Sequence, residues 1–163
     1  MTRRLALLSV ALVASALLTG CGSVTIPIPT GDGGSVEVDT NGDGSVTVNG
    51  DGGSVTTGSG LPKGFPADEV PVIEGRVTGA MAIKQADGTQ GYTFVVVVDD
   101  DIASATDKAS GLLTDAGYKL ENSVDSPGST VRSLGSDAWM VVITVAAAEQ
   151  GSGVNYVVAT REQ

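Results

Sequence analysis

The chain has 163 residues, a formal net charge of −10, one cysteine and no histidine. With 19 Asp or Glu against 9 Lys or Arg it lacks the cationic surface from which nucleic-acid affinity chiefly comes, so nucleic acid is not an expected partner. A single cysteine excludes an intramolecular disulfide, and the missing histidine excludes Ser–His–Asp and Cys–His catalysis and histidine-based zinc sites.

The first element is an apolar run. Arg3 and Arg4 precede Leu5 to Leu18, 14 residues dominated by Leu, Ala and Val. As a helix this run spans about 21 Å, short of a hydrocarbon core of ~30 Å. The positive start and apolar middle read as a secretory signal peptide over residues 1–20. The run ends in Leu18-Thr19-Gly20-Cys21, which resembles the lipobox of bacterial lipoproteins. That resemblance implies a diacylglycerol thioether on Cys21, cleavage between Gly20 and Cys21, and acylation of the new amino terminus. It places the mature chain on the outer face of the cell membrane, exported and held by lipid. Two or three acyl chains anchor stably where one is marginal. Loss of Arg3 and Arg4 with the leader leaves 7 Lys or Arg against 19 Asp or Glu, a charge of −12.

Residues 21–60 form the second region: the lipidated cysteine, then a spacer rich in Gly, Ser, Thr and Asp. Residues 22–60 hold 11 Gly, 11 Ser or Thr, five acids and no aromatic or basic residue. A degenerate unit, G-D-G-(G)-S-V-x-V/T, begins at Gly31, Gly42 and Gly50. Asn41-Gly42, Asn49-Gly50 and Asp51-Gly52 favour tight turns. A small β-meander with Val36, Val38, Val46, Val48 and Val55 as apolar positions is one reading. Five valines at roughly 2 kcal/mol each do not offset the ordering of some 25 residues at about 1–2 kcal/mol apiece. The expectation is therefore a mobile tether, about 35 Å in root-mean-square reach.

Composition changes at Leu61. Residues 61–163 carry all six aromatic side chains and enough apolar bulk for one core. The region opens LPKGFPADEVPVIEG, whose prolines favour an extended arm laid on the domain. Val77, Gly79, Met81 and Ile83 alternate as a strand, and Tyr92 to Val98 reads as a central strand. Ile102, Ala105, Ala109, Leu112, Leu113 and Ala116 make a helical stripe, with Asp100 or Asp101 as N-cap and Gly117 as the stop. Strand signals then cover Tyr118 to Val124, more weakly Thr130 to Leu134, Ala138 to Ala146 as a second central strand, and Val154 to Thr160. The expected fold is α+β: a small antiparallel β-sheet in the order β-β-α-β-β-β with one helix packed on one face, preceded by a disordered spacer.

The phrase Leu61-Pro62-Lys63-Gly64-Phe65-Pro66-Ala67-Asp68-Glu69-Val70-Pro71, after an acidic low-complexity stretch and a lipobox, resembles small cell-envelope lipoproteins of actinobacteria. No activity is attached to that group, so the resemblance implies an anchored domain and no reaction. The expected function is a non-catalytic, membrane-anchored extracytoplasmic lipoprotein whose domain binds an envelope protein or ligand. One alternative is a carboxylate-dependent hydrolase of cell-wall glycan, which needs two facing acids. The densest acids, Asp99-Asp100-Asp101, read instead as helix capping, and Trp139 as packing rather than a stacking platform. The other alternative is low-affinity calcium binding by the spacer. Asp39, Asn41 and Asp43 fill positions 1, 3 and 5 of a calcium loop, with Gly44 at the turn. The twelfth position is Gly50 where a bidentate Glu is expected, and the repeat itself generates this spelling.

Overall fold

The valine-rich repeats and the strands after Leu61 join one sheet. The computed structural model describes residues 24–29, 35–40, 45–50 and 53–161. In chain order the elements are β1 (Val24–Pro29), β2 (Ser35–Thr40), β3 (Val46–Gly50), β4 (Gly53–Gly58), β5 (Arg76–Gln85), β6 (Gln90–Val98), α1 (Ile102–Asp115), β7 (Lys119–Ser126), β8 (Ser129–Gly135), β9 (Trp139–Ala147) and β10 (Ser152–Thr160). The ten strands lie in the order β1-β2-β3-β4-β5-β6-β10-β9-β8-β7 and every neighbouring pair is antiparallel.

Two expectations are corrected. The fold is largely β, a ten-stranded antiparallel sheet with one helix, not a small α+β sheet. After the helix come four strands, because the weak signal near Thr130 is a full strand, β8. Second, the spacer is not a disordered tether over its described residues: each S-V-x-V/T repeat is a strand. The balance of five valines against chain entropy treated the meander as isolated. It is not isolated, because β4 pairs with β5 over six registered positions from Gly53↔Gln85 to Gly58↔Ala80. A strand laid on an existing edge gains backbone hydrogen bonds without having to nucleate a sheet, and β3, β2 and β1 follow by short connections.

The helix forms where its stripe and caps predict. Asp101 is the N-cap, its Oδ1 accepting the Ser104 N–H at 2.8 Å, while Asp100 accepts from Lys108 Nζ at 2.7 Å. At the other end the Gly117 N–H donates to Thr114 O and the Tyr118 N–H to Leu113 O, the paired bonds of a Schellman stop. Ala105, Thr106, Ala109 and Leu113 are buried, and α1 packs on β8, β9 and β10. The core lies between this layer and one face of the sheet. There Phe94 stacks on Tyr156 at 5.1 Å, with Val96, Val141, Ile143, Val154 and Val158 around them.

One residue resets the register inside β5. Thr78 pairs with Val95 and Met81 with Thr93, so β5 uses one residue more than β6 across this bulge, where Gly79 has φ +61°. Val77 therefore packs against the core while Met81 and Ile83 are carried to the opposite face.

Gly53, at φ +136°, begins β4, and a Cβ there would strike the Lys84 carbonyl oxygen. Gly53→Ala is expected to unseat β4 from β5. Amide exchange in Val46 to Gly58 should then quicken at least about tenfold while Tyr92 to Val98 changes little. Equal protection in variant and parent would show that this pairing does not hold the meander.

Candidate functional site

The two faces of the sheet differ in chemistry. On the covered face, residues 61–75 form an arm across the core, turned by the Phe65 N–H donating to Pro62 O and the Val70 N–H to Pro66 O. The Phe65 ring packs edge-on against Tyr92 and Phe94, with centroids 5.5 and 5.0 Å away. Every tyrosine and the one tryptophan of the chain hold this arm through their polar atoms. Tyr92 Oη stands 2.8 Å from Gly64 O and 2.7 Å from Gln90 Oε1, sharing one proton between two acceptors. Tyr118 Oη donates to Glu69 O at 3.2 Å, and Trp139 Nε1 donates to Glu69 Oε2 at 2.8 Å. Tyr156 Oη accepts the Ile73 N–H at 3.1 Å. Burial raises the pKa of all three tyrosines, and that of Tyr156 to about 12.

Where the arm meets β4 and β5 a cleft of about 440 Å³ opens, lined by Ser54, Thr56, Lys63, Lys84, Gln90 and Tyr92. It is polar, and among the described residues no acid forms an ion pair with Lys63 or Lys84. The meander's side of this face is polar too: Thr47 and Thr56 hydroxyls lie 2.9 Å apart, and Asn49 Nδ2 donates to Asp39 Oδ2 at 2.9 Å.

The opposite face carries none of this. Strand register aligns cross-strand rows on it. One runs Val38, Val48, Val55, Ile83, Gly91, Ala159, Met140. The next runs Val46, Thr57, Met81, Thr93, Val157, Val142. A third holds Thr78, Val95, Asn155, Thr144, Val131, Val124. None of these residues is charged, but the rim is: Lys119 follows Met140 and Gly135 in the first row, Arg76 stands beside Val97 in a fourth, and the Glu121–Arg161 pair lies over Gly135. Of the eight exposed large apolar side chains among the described residues, Val48, Ile83, Val124, Met140 and Val157 lie here. Element contacts are those of hydrogen-bonded neighbours plus α1 on β8, β9 and β10, so no described element packs on this face.

The residues singled out from sequence are not gathered into one site. Cys21, Asn41 and Asp43 lie outside the described residues; Asp39 is on β2, bonded to Asn49. Asp100 and Asp101 serve the helix start, and Trp139, 8 % exposed, is core. The open face escaped sequence reading because alternation shows that two faces exist but not which one receives a covering layer. The signal that would have found it is the parity of the charges: the valines of the repeats alternate with the acids Glu37 and Asp39. No protein-family model, curated protein or solved structure matches the chain.

Two tests follow from the arm. A free tyrosine titrates near pH ~10, so a folded value of about 12 means the folded state holds the Tyr156 proton more tightly. That stabilisation, roughly 3 kcal/mol, is complete below pH ~10 and lost as pH rises through the folded value. Tyr156→Phe should cost about 1–3 kcal/mol at neutral pH by leaving the Ile73 N–H unpaired, and should flatten the alkaline fall in urea midpoint. A fall as steep as the parent's would assign it to other groups. Glu69→Ala leaves the Trp139 Nε1–H without its acceptor. The single tryptophan should shift its emission and stability should drop about 1–2 kcal/mol, with Glu69→Gln recovering most of it.

Proposed function

We propose that this protein is a lipid-anchored, extracytoplasmic binding protein with no reaction of its own, held at the outer face of the membrane through Cys21 and engaging an envelope protein or ligand. The binding part of this reading rests on one observation. In a chain whose mature form would carry −12, the middle rows of a broad sheet face hold no charged side chain, and no described element covers them. Soluble proteins rarely expose contiguous apolar area of this kind without a use for it. The acids divide among structural tasks: Asp101 caps α1, Asp100 and Asp125 pair with Lys108 and Arg132, and Glu69 accepts from Trp139.

The anchoring part rests on the resemblance of Leu18-Thr19-Gly20-Cys21 to a lipobox. The meander changes what anchoring would mean. Only Gly22 and Ser23 separate Cys21 from β1, which begins at Val24. Three residues reach about 10 Å at most, so the β1 end of the sheet would sit at the headgroups rather than at the end of a long tether.

Metabolic labelling with a clickable fatty acid is expected to mark the full-length protein and not Cys21→Ala. Mass spectrometry of the wild type should show an amino-terminal Cys21 carrying lipid. An unmodified Cys21 would remove the anchor from this reading.

A further inference from the structure

We propose that the occupant of the open face is a second copy of this chain, packed face to face about a two-fold axis near Thr93 and Val157, so that two sheets make a sandwich. This rests on the reading of that face as a binding surface and names its partner. Charge argues first. Two copies of a mature chain at −12 repel through their acidic surfaces, but here uncharged middle rows meet. The one acid of the face among the described residues, Glu121, is paired with Arg161, and the acids of α1 and β2 point outward. Size agrees. From β2 to β8 the sheet has eight strands. At about 4.8 Å per strand and 3.4 Å per residue they present a plane of roughly 1,000 Å². A standard interface takes about 800 Å² from each partner.

Shape agrees as well. The side chains of the three rows are mainly Val, Thr, Ile and Met, without aromatic bulk, which suits interdigitation of two sheets about 10 Å apart. A bilayer is the poorer match, since interfacial binding draws on Trp, Phe and Leu side chains, which the rows lack. Edge-to-edge growth is also disfavoured. Pro27 and Pro29 share one parity on the outermost strand β1, and β7 at the other edge carries Lys119, Glu121 and Asp125. An isologous pair of faces therefore closes and stops.

The test uses the protein in its own envelope, where Cys21 is the only native cysteine. Met81→Cys, Thr93→Cys, Val142→Cys and Val157→Cys are treated singly with a bismaleimide spanning about 10 Å, the separation of packed sheets. The wild type serves as blank, and Asp107→Cys, on the exposed side of α1, as the off-face control. Crosslinking at one or more face positions to twice the monomer mass, and not at Asp107→Cys, is the expected result. Adding Val157→Asp to Thr93→Cys should lower that yield at least about tenfold, because it sets like charges opposite each other. Val157→Thr should not. Adducts of another mass overturn the second copy while leaving a binding face with a different partner. Face positions that label fully with a monofunctional maleimide and never crosslink overturn both.

Discussion

The hydrogen bonding of the arm by four aromatic tips is the constraint on which the rest of the molecule depends. A single 14-residue helix covers β8, β9 and β10 and leaves β6 bare. Residues 61–75 close that gap, but they lack regular secondary structure and several of their positions are prolines. Such a segment stays down only if its backbone groups find partners on the core. Tyr92, Tyr118, Trp139 and Tyr156 supply them, each presenting an apolar body to the sheet and a polar tip to the arm. Phe65 and Val70 then fill the space between.

This arrangement uses every aromatic residue on one face. The other face is left with small and β-branched side chains, which lie flat and pack closely across strands. The bulge at Gly79 maintains the division, because without the extra residue the outer half of β5 would turn Met81 and Ile83 inward and Ala82 outward. Most acids follow the same partition, while Arg76 and Lys119 fall on the parity of the open face. Glu37 and Asp39 share the polar side of the meander with Thr47, Asn49 and Thr56, and the acids around α1 stand on that side too. The aromatic groups are buried under one layer of the sheet, and the uncovered face carries Val, Thr, Ile and Met along its middle rows.

Much of the local structure was legible in the residues. The helical stripe with Asp101 before it and Gly117 after it is a local pattern, and local patterns survive into the fold. The strands at Tyr92 and Trp139 announced themselves by dense apolar runs. What was not legible is what distant segments decide. The last strand, β10, inserts between β6 and β9, and no periodicity within β10 says so. Val77 and Met81 look like one alternating face until the register with β6 shows the bulge. The order of the spacer is hidden for the same reason: its stability depends on the free edge of β5, a feature of another part of the chain. Of the residues picked for the site, Asp39 proved to belong to a cross-strand hydrogen bond. The open face comes from residues each of which is unremarkable alone.

The repeat acquires a physical meaning from this. One unit of G-D-G-(G)-S-V-x-V/T supplies a glycine-rich connection and one short strand, and the paired valines keep the same parity from β2 to β4. Each unit therefore widens the open face by about 4.8 Å while placing its polar positions on the other side. The valines of β3 and β4 remain only partly buried, Val48 being 39 % exposed. Their hydrophobic gain is incomplete in the single chain and would be completed when the face is covered. A segment whose composition looks like a flexible linker is thereby an extension of the open sheet face. Its glycines set the connections, and its valines set the width.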